Sequence, residues 1–380
     1  MMKALIVDQF GKTTGSDTLA LAELINDLDN FEMSVYLSDT SDVNPINYKT
    51  RVFYGFEGAY SGNIIHKSIC YLKALKKLEK HIKQEKYDLV NLQWFSIPWL
   101  EKSFVKTIKK YSKVVITVHD VIPFNKRFGE MRALKKIYQI ADSLLIHTKE
   151  AHQQFKDNYP GVNVPMKIIS QCFCNKKDYK PLDKYDSRKH LNIPSDAIVY
   201  LFYGTIRDSK GLDDLINAFV AAHEQNDKIF LLCAGALHKV DSTYYLNLAK
   251  PIIENGYGKF VFDFVPRKEE KYYFSASDVL CLPYKEVTQS GVAQLGLMYE
   301  LPIIATDVGP MKEVTRDGVN GCLIEKNNSK ELIDAILLLT SDKKREAFSK
   351  QSRLLGETEF SLDKKAGHVN DAYLECLKKE

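Results

Sequence analysis

Residues 276–310 read ASDVLCLPYKEVTQSGVAQLGLMYELPIIATDVGP. The run 279–282 is short, apolar and bounded by polar residues, which suits a buried strand. Val292, Leu295, Gly296 and Tyr299 then fall at i, i+3, i+4 and i+7, so a helix starts near Gln289, with Thr288 as its predicted N-cap. A second apolar run, 302–305, follows. Strand, turn, helix, strand is the unit of a parallel sheet. The polar turn Thr288-Gln289-Ser290-Gly291 lies at the carboxyl end of the first strand, directly before the helix. The first turn of a helix leaves N–H groups open at the positive end of its dipole, and a glycine there lets a ligand approach the backbone. That predicts an anion, phosphate above all. Such turns occur in every α/β protein, so support elsewhere decides the matter.

The same rhythm extends both ways. Apolar runs at 4–7, 33–37, 89–92, 114–118 and 143–146 alternate with amphipathic stretches at 19–28, 64–82 and 104–111. A second series follows at 197–203, 229–233, 260–264, 279–282 and 302–305. Between them, residues 172–195 are charged, carry Pro181 and Pro194 and keep no period, as a linker would. The fold class is therefore α/β: two doubly wound Rossmann-like domains, 1–178 and 186–361, expected to face a cleft with ligands at the carboxyl ends of the strands.

Composition narrows the function. In 380 residues, 45% are hydrophobic, 27% are charged and the formal net charge is +4. This is ordinary for a globular protein and does not point to nucleic acid. No apolar run approaches the roughly 20 residues of a membrane span. The N-terminal MMKALIVD reads as a first strand, not a signal peptide. The seven cysteines are odd in number and scattered, as buried thiols in a reducing cytoplasm would be, and Cys172-x-Cys174 has no partner cluster for zinc.

The support comes from LFYGTIRDSKGLDDLINAF, residues 201–219. A strand ends at Gly204 and a helix begins near Gly211, with Arg207 and Lys210 in the turn. Two cations beside two helix starts suit a diphosphate, the guanidinium binding two oxygens and the ammonium acting as a point charge. Asp213-Asp214 reads as a solvated helix face. Near the N-terminus, Phe10-Gly11-Lys12-Thr13-Thr14-Gly15-Ser16 lacks the dinucleotide spacing. Its glycines suit either backbone contact with an anion or sugar, or a plain flexible turn.

The order and spacing of Gly204-x-x-Arg207-x-x-Lys210-Gly211 and of 276–321 resemble family-4 (group 1) retaining glycosyltransferases of the GT-B fold. In the first half DLVNLQW (88–94), VVITVHDVIPF (114–124) and IADSLLIHTKEAHQQF (140–155) match more loosely. The resemblance implies that the second domain binds a nucleotide-diphospho-sugar, with Arg207 and Lys210 on the diphosphate, the backbone of Ser290, Gly291 and Val292 cradling it, and Glu286 and Gln289 as further donor contacts; Gly15, in the first domain, is the remaining donor-binding candidate. It also implies that His119, at a strand end of the first, acceptor-side domain, faces the donor sugar as the catalytic residue, positioning rather than deprotonating. The final helix, 362–380, would pack back on that domain. No metal or other cofactor is implied, because cations and a helix dipole stabilise the leaving diphosphate. Two acidic residues common in the family would fall at Val287 and Leu295. Glu286 stands one position from the first, and the second has no acidic counterpart. In DVGPMKE (307–313), Glu313 reads as structural.

The helix HKSICYLKALKKLEKHIKQEK (66–86) carries an apolar stripe, Ile65, Ile69, Leu72, Leu75, Leu78 and Ile82, among lysines. It reads as a helix packed on its sheet. The rival is attachment to an anionic membrane, which would suit a lipid-linked acceptor at the inner face of the plasma membrane. Trp94, Phe95, Pro98 and Trp99 line an acceptor groove or cap a core. A nucleotide-sugar epimerase and a binding protein without turnover remain the rival functions.

Overall fold

All strand pairing in the chain's two sheets is parallel, so helices must carry the chain back each time. The structure is a computed structural model and describes residues 1–39, 48–123, 127–169, 172, 180–287 and 290–378. Two compact units emerge, Met1–Gln171 with Leu362–Glu380, and Cys172–Ser361.

The first unit contains β1 (Met2–Asp8), α1 (Gly11–Asn26), β2 (Phe31–Ser38), β3 (Arg51–Gly55), α2 (Ile64–Glu85), β4 (Leu89–Leu92), α3 (Pro98–Ile108), β5 (Lys113–Val118), α4 (Glu130–Tyr138), β6 (Ser143–Ile146), α5 (Lys149–Asn158) and β7 (Met166–Ile168). Its sheet runs β3-β2-β1-β4-β5-β6-β7. The strand order reverses between β1 and β4. The central strands are buried on both faces, which is why they read as unbroken apolar runs.

The second unit contains α6 (Lys184–His190), β8 (Ile198–Tyr203), α7 (Leu212–His223), β9 (Ile229–Ala234), α8 (Ser242–Glu254), β10 (Gly258–Val261), α9 (Arg267–Ala276), β11 (Val279–Leu282), α10 (Gly291–Met298), β12 (Ile303–Thr306), α11 (Met311–Val314), β13 (Gly321–Ile324), α12 (Ser329–Leu338) and α13 (Asp342–Thr358). Its sheet runs β10-β9-β8-β11-β12-β13, with the reversal between β8 and β11. A doubly wound sheet opens a crevice at that reversal, beyond the carboxyl ends of the two strands.

Of the stretch 172–195, the described residues, Cys172 and 180–195, do not behave as a free linker. Cys172 is fully buried, and Asp183 caps α6 by accepting from Asp186 N at 2.9 Å. The buried Arg188 donates to Ala276 O at 3.0 Å and to Asp278 Oδ2 at 2.6 Å. The Arg188 bonds fasten α6 to the second unit, and the compact units divide between Gln171 and Cys172. The sequence also misplaces the stripe on α2. Tyr71, Ala74, Leu75, Leu78 and Ile82 are buried, whereas Ile65, Ile69 and Leu72 are exposed. The inward face includes Tyr71 and Ala74, and the stripe turns away from it within two turns.

The last helix, α14 (Leu362–Lys378), belongs to the first unit and packs on α1, β5 and β6. Tyr373 sets its edge against Phe31, ring centroids 5.7 Å apart, and its hydroxyl accepts from Asn91 Nδ2 at 2.6 Å. Removing that acceptor leaves a buried amide unsatisfied. Tyr373→Phe is expected to lower stability by about 1–3 kcal/mol, read from the urea midpoint at unchanged slope.

Candidate functional site

The turns after β8 and β11 meet in the second unit. Ile206 N donates to Ala236 O at 2.9 Å and His238 N to Ile206 O at 2.9 Å, which extends the β8–β9 ladder to the threshold of Arg207. Asp208–Lys210 forms a single 3-10 turn, and Gly211 follows at φ 66°. A Cβ on Gly211 would lie 1.9 Å from the carbonyl oxygen of Pro283, so only glycine allows this approach. Ser209 O accepts from Lys285 N at 2.9 Å and closes the seam between the turns.

Side chains follow from that seam. The Lys210 ammonium stands 3.5 Å from the centroid of the Tyr284 ring, a cation–π contact. Burial, and then the neighbouring Arg207 charge, press its pKa down to about 8. Tyr284 is fully buried, and its phenol lies beside both Ser290 and Arg207. Lys285 is neutralised: its ammonium lies 2.7 Å from Asp213 and 3.6 Å from Asp214. Asp213 is therefore a buttress at the start of α7, not a solvated charge. Lys210 forms no ion pair among the described residues.

The cap of α10 is Ser290, whose hydroxyl accepts from Ala293 N at 3.2 Å. It takes the place expected for Thr288, which with Gln289 lies outside the described residues. Gly291 opens the helix and Val292 follows, half-buried. A Cβ on Gly291 would meet nothing within 4 Å, so the space above this helix start is open. Glu286 is exposed on the same turn. Leu295 is buried in the hydrophobic core, so no polar group stands there. Arg207, Lys210, Ser290, Gly291 and Val292 thus gather at the strand reversal of the second sheet.

In the first unit, Gly15 stands in the second turn of α1, buried and past the four N–H groups a helix leaves open. The turn itself is closed by Asp8, which accepts from Thr14 Oγ1 at 2.6 Å, Thr18 Oγ1 at 2.7 Å and Phe10 N at 3.1 Å. Gly15 is therefore a helix-interior residue rather than part of an anion-binding turn.

His119 directly follows β5 and stacks on Trp94, centroids 4.1 Å apart at 13°. Gln93 donates from Nε2 to Thr117 Oγ1 at 3.1 Å, so its Oε1 accepts from His119 Nε2 at 2.9 Å. His119 Nδ1 must then accept from His147 Nε2 at 3.1 Å. Thr117 Oγ1 donates in turn to Asn91 Oδ1 at 3.0 Å, and Asn91 Nδ2 donates to the Tyr373 hydroxyl. The relay has one direction, and it fixes the His119 tautomer. Burial, then the Lys365 charge, lower the His119 pKa to about 3, and burial also holds His147 well below its usual value. Both rings therefore stay neutral near pH 7.

Sequence reasoning missed Tyr284, Gln93, His147 and a second buried cluster. In that cluster Glu101 accepts from Ile97 N at 2.9 Å, Ser96 N at 3.2 Å and the Tyr71 hydroxyl, and burial pushes its pKa up to about 7. The available signal was polarity at alternate positions of an apolar strand: Asn91 and Gln93 in LVNLQW.

Residues 183–355 match the family model for glycosyl transferases group 1, and residues 21–148 that for glycosyl transferase 4-like proteins. The D-inositol 3-phosphate glycosyltransferase of Streptosporangium roseum is 22% identical over 280 residues, 69% of this chain and 63% of that protein, so less than two thirds of its length is spanned. The O-antigen chain mannosyltransferase C of Escherichia coli is 24% identical over 316 residues, 80% of this chain and 78% of that one. HepE from Anabaena, solved in complex with UDP, shares the fold with a TM-score of 0.74 at 16% identity, covering 98% and 100% of the two chains.

Two outcomes follow from this geometry. Gly211→Ala forces both a strained φ and a clash with Pro283, and is expected to cost upwards of about 1–3 kcal/mol in a denaturant titration. Gly291→Ala, with open space around it, should melt within a degree or two of the wild type. In the first unit, neutral imidazoles whose pKa lies below the unfolded value of about 6.5 stabilise above that pH, and the contribution is lost as pH falls toward the folded value. Melting temperature should therefore drop on acidification from pH 6.5 to 4.5, and His147→Asn should flatten that slope.

Proposed function

Because the chain belongs to the group 1 glycosyl transferases, we propose that it moves a sugar from a nucleotide-diphosphate donor to a hydroxyl acceptor with retention of the donor's α configuration. The observation that carries this is the cation pair Arg207 and Lys210 set at a sheet reversal beside the open helix start at Ser290-Gly291. As the glycosidic bond breaks, negative charge builds on the departing diphosphate. A guanidinium, an ammonium and open backbone N–H groups are placed to stabilise it, and preorganised charge in a partly dry site does this better than water. HepE, of the same fold, was solved with UDP, which supports a nucleotide diphosphate as the bound group.

A departing phosphate oxygen takes the acceptor hydroxyl proton, so the scheme calls for no separate base. His119, held neutral and oriented by Gln93 and His147, positions the sugar. The two cations fill the role a divalent ion has in other transferases. Gln289 and Glu286 supply polar contacts to the donor, and the buried Leu295 shifts the ribose contact elsewhere. The acceptor is a saccharide or lipid-linked saccharide in cell-surface polysaccharide or glycolipid synthesis, at the cytoplasmic face of the membrane. The mannosyltransferase relative, named for an O-antigen chain, supports that class. No helix among the described residues is long and apolar enough to cross a membrane.

The test is a thermal-shift panel of nucleotide sugars, followed by transfer assays with the stabilising donor and product anomers assigned by NMR. A new sugar isomer formed without acceptor, or tight binding with neither hydrolysis nor transfer, would overturn the proposal. Arg207→Ala and Lys210→Ala are each expected to weaken donor binding roughly 10- to 100-fold by calorimetry. A bound anion favours the charged ammonium, so Lys210 should take up a proton on binding above pH 8, and affinity should fall as pH rises through that value. Lys210→Arg keeps its charge there and should lose the pH dependence.

A further inference from the structure

Two lysines flank the seam of the second unit's crevice, and they are anchored by different chemistry. A lysine stem is long and flexible, so an unanchored ammonium wanders among many rotamers. Lys285 is held by acids, its ammonium 2.7 Å from Asp213 Oδ2 and 3.6 Å from Asp214 Oδ2. A cation engaged by carboxylates has little charge left for a ligand. Lys210 has no carboxylate partner among the described residues, and its Nζ stands 3.5 Å from the centroid of the Tyr284 ring. That ring is fixed. Tyr284 lies in the hydrophobic core, and Pro283 before it is clamped against Gly211. The phenol oxygen, buried beside Ser290, makes no hydrogen bond among the described residues. Its ring face, not its hydroxyl, is therefore the part of Tyr284 in use.

A π face attracts a cation through its quadrupole and leaves the positive charge intact. A carboxylate in the same place would neutralise the ammonium, and an arriving anion would have to displace it. The charged groups on the elements around Lys210 are Arg207 and Asp208 on its own turn, Lys285 and Glu286 on the turn after β11, and Asp213 and Asp214 at the start of α7. Asp213 and Asp214 are engaged with Lys285, and α10 has no acid in its first turn. We propose that Tyr284 is a positioning residue for the donor diphosphate: its ring holds the Lys210 ammonium at the strand reversal with its charge uncommitted until the anion arrives. This rests on the reading of Lys210 as a diphosphate ligand, and Tyr284 acts only through that lysine.

The experiment has two arms. In the first, the full chain carries lysine labelled with carbon-13 at the ε position, and Lys210→Gln assigns the Lys210 resonance by its loss. Protons over an aromatic face are shifted upfield by its ring current. That shift is expected in the wild type and in Tyr284→Phe, which keeps the ring, and should vanish in Tyr284→Leu. In the leucine variant the released ammonium reaches water, so its pKa should climb from about 8 toward 10.5. In the second arm, calorimetry measures UDP and GDP, which share the diphosphate and differ in base. Tyr284→Leu should weaken the better-bound nucleotide roughly 10-fold at pH 7, and Tyr284→Phe should restore it to within about twofold. In a Lys210→Gln background the leucine change should cost less than about twofold, because the two side chains act as one unit. The fall in affinity near pH 8 should move upward in the leucine variant, which a purely structural loss would not do. A wild-type Lys210 with no ring-current shift would overturn the proposal, and that result needs no variant to fold other than the assigning one. So would a leucine penalty that is equally large without Lys210, or no penalty at all. Lys210→Gln binding both nucleotides as tightly as the wild type would instead remove the diphosphate reading beneath it, and is told apart because the ring-current shift would persist.

Discussion

The carbonyl of Pro283 lies so close to Gly211 that no side-chain carbon fits between them. That one approach decides the geometry of the second unit's crevice. It brings the turn after β8 against the turn after β11, and Ser209 seals the join through Lys285 N. Lys210 then has nowhere to go but the face of Tyr284, and Tyr284 in turn lies against the cap of α10. The two nearby lysines are treated differently. Lys285 is consumed by Asp213, while Lys210 is left half-buried next to a second cation.

The first unit organises its polar residues by hydrogen-bond direction rather than by charge. From His147 through His119, Gln93, Thr117 and Asn91 to Tyr373, each group donates to the next. Such a chain leaves each ring nitrogen a single role, and it holds because burial keeps both imidazoles neutral. Glu101 is the complementary case. It is a carboxyl gathered under four donors, Tyr71, Ser96, Ile97 and Gln9, that favour its charge, against burial that opposes it, and it fastens the entry to α3.

How much of this was legible in the amino-acid string follows from burial. β1, β4, β5, β8, β9 and β11 are covered on both faces, so their sequences are dominated by apolar residues and were readable, with Asn91 the polar interruption in β4. β3 and β7 lie at sheet edges and mix polar with apolar residues, β13 is an edge strand of only four residues, and all three escaped notice. The cations at 207 and 210 were legible because topology assigns function to residues just past a strand end. The cap was misplaced by two residues, since Thr288 and Ser290 are chemically equivalent caps and only the fold chooses. Tyr284 and the partners of His119 depend on tertiary neighbours that no local pattern announces. The stripe on α2 was right in spacing and wrong in facing.

The return of α14 to the first unit makes that unit discontinuous in sequence. Its Asn91 has its phenol partner, and Phe31 its edge contact, from a residue near the far end of the chain. During synthesis the ribosome delivers the first sheet long before it delivers Tyr373. The nascent amino-terminal half must therefore wait, with part of its apolar surface uncovered, until the whole second unit has been translated. A premature stop shortly before Leu362 would leave the Arg207 and Lys210 turn intact and yet release a molecule whose first unit is unfinished, a substrate for chaperones and proteases rather than for sugars.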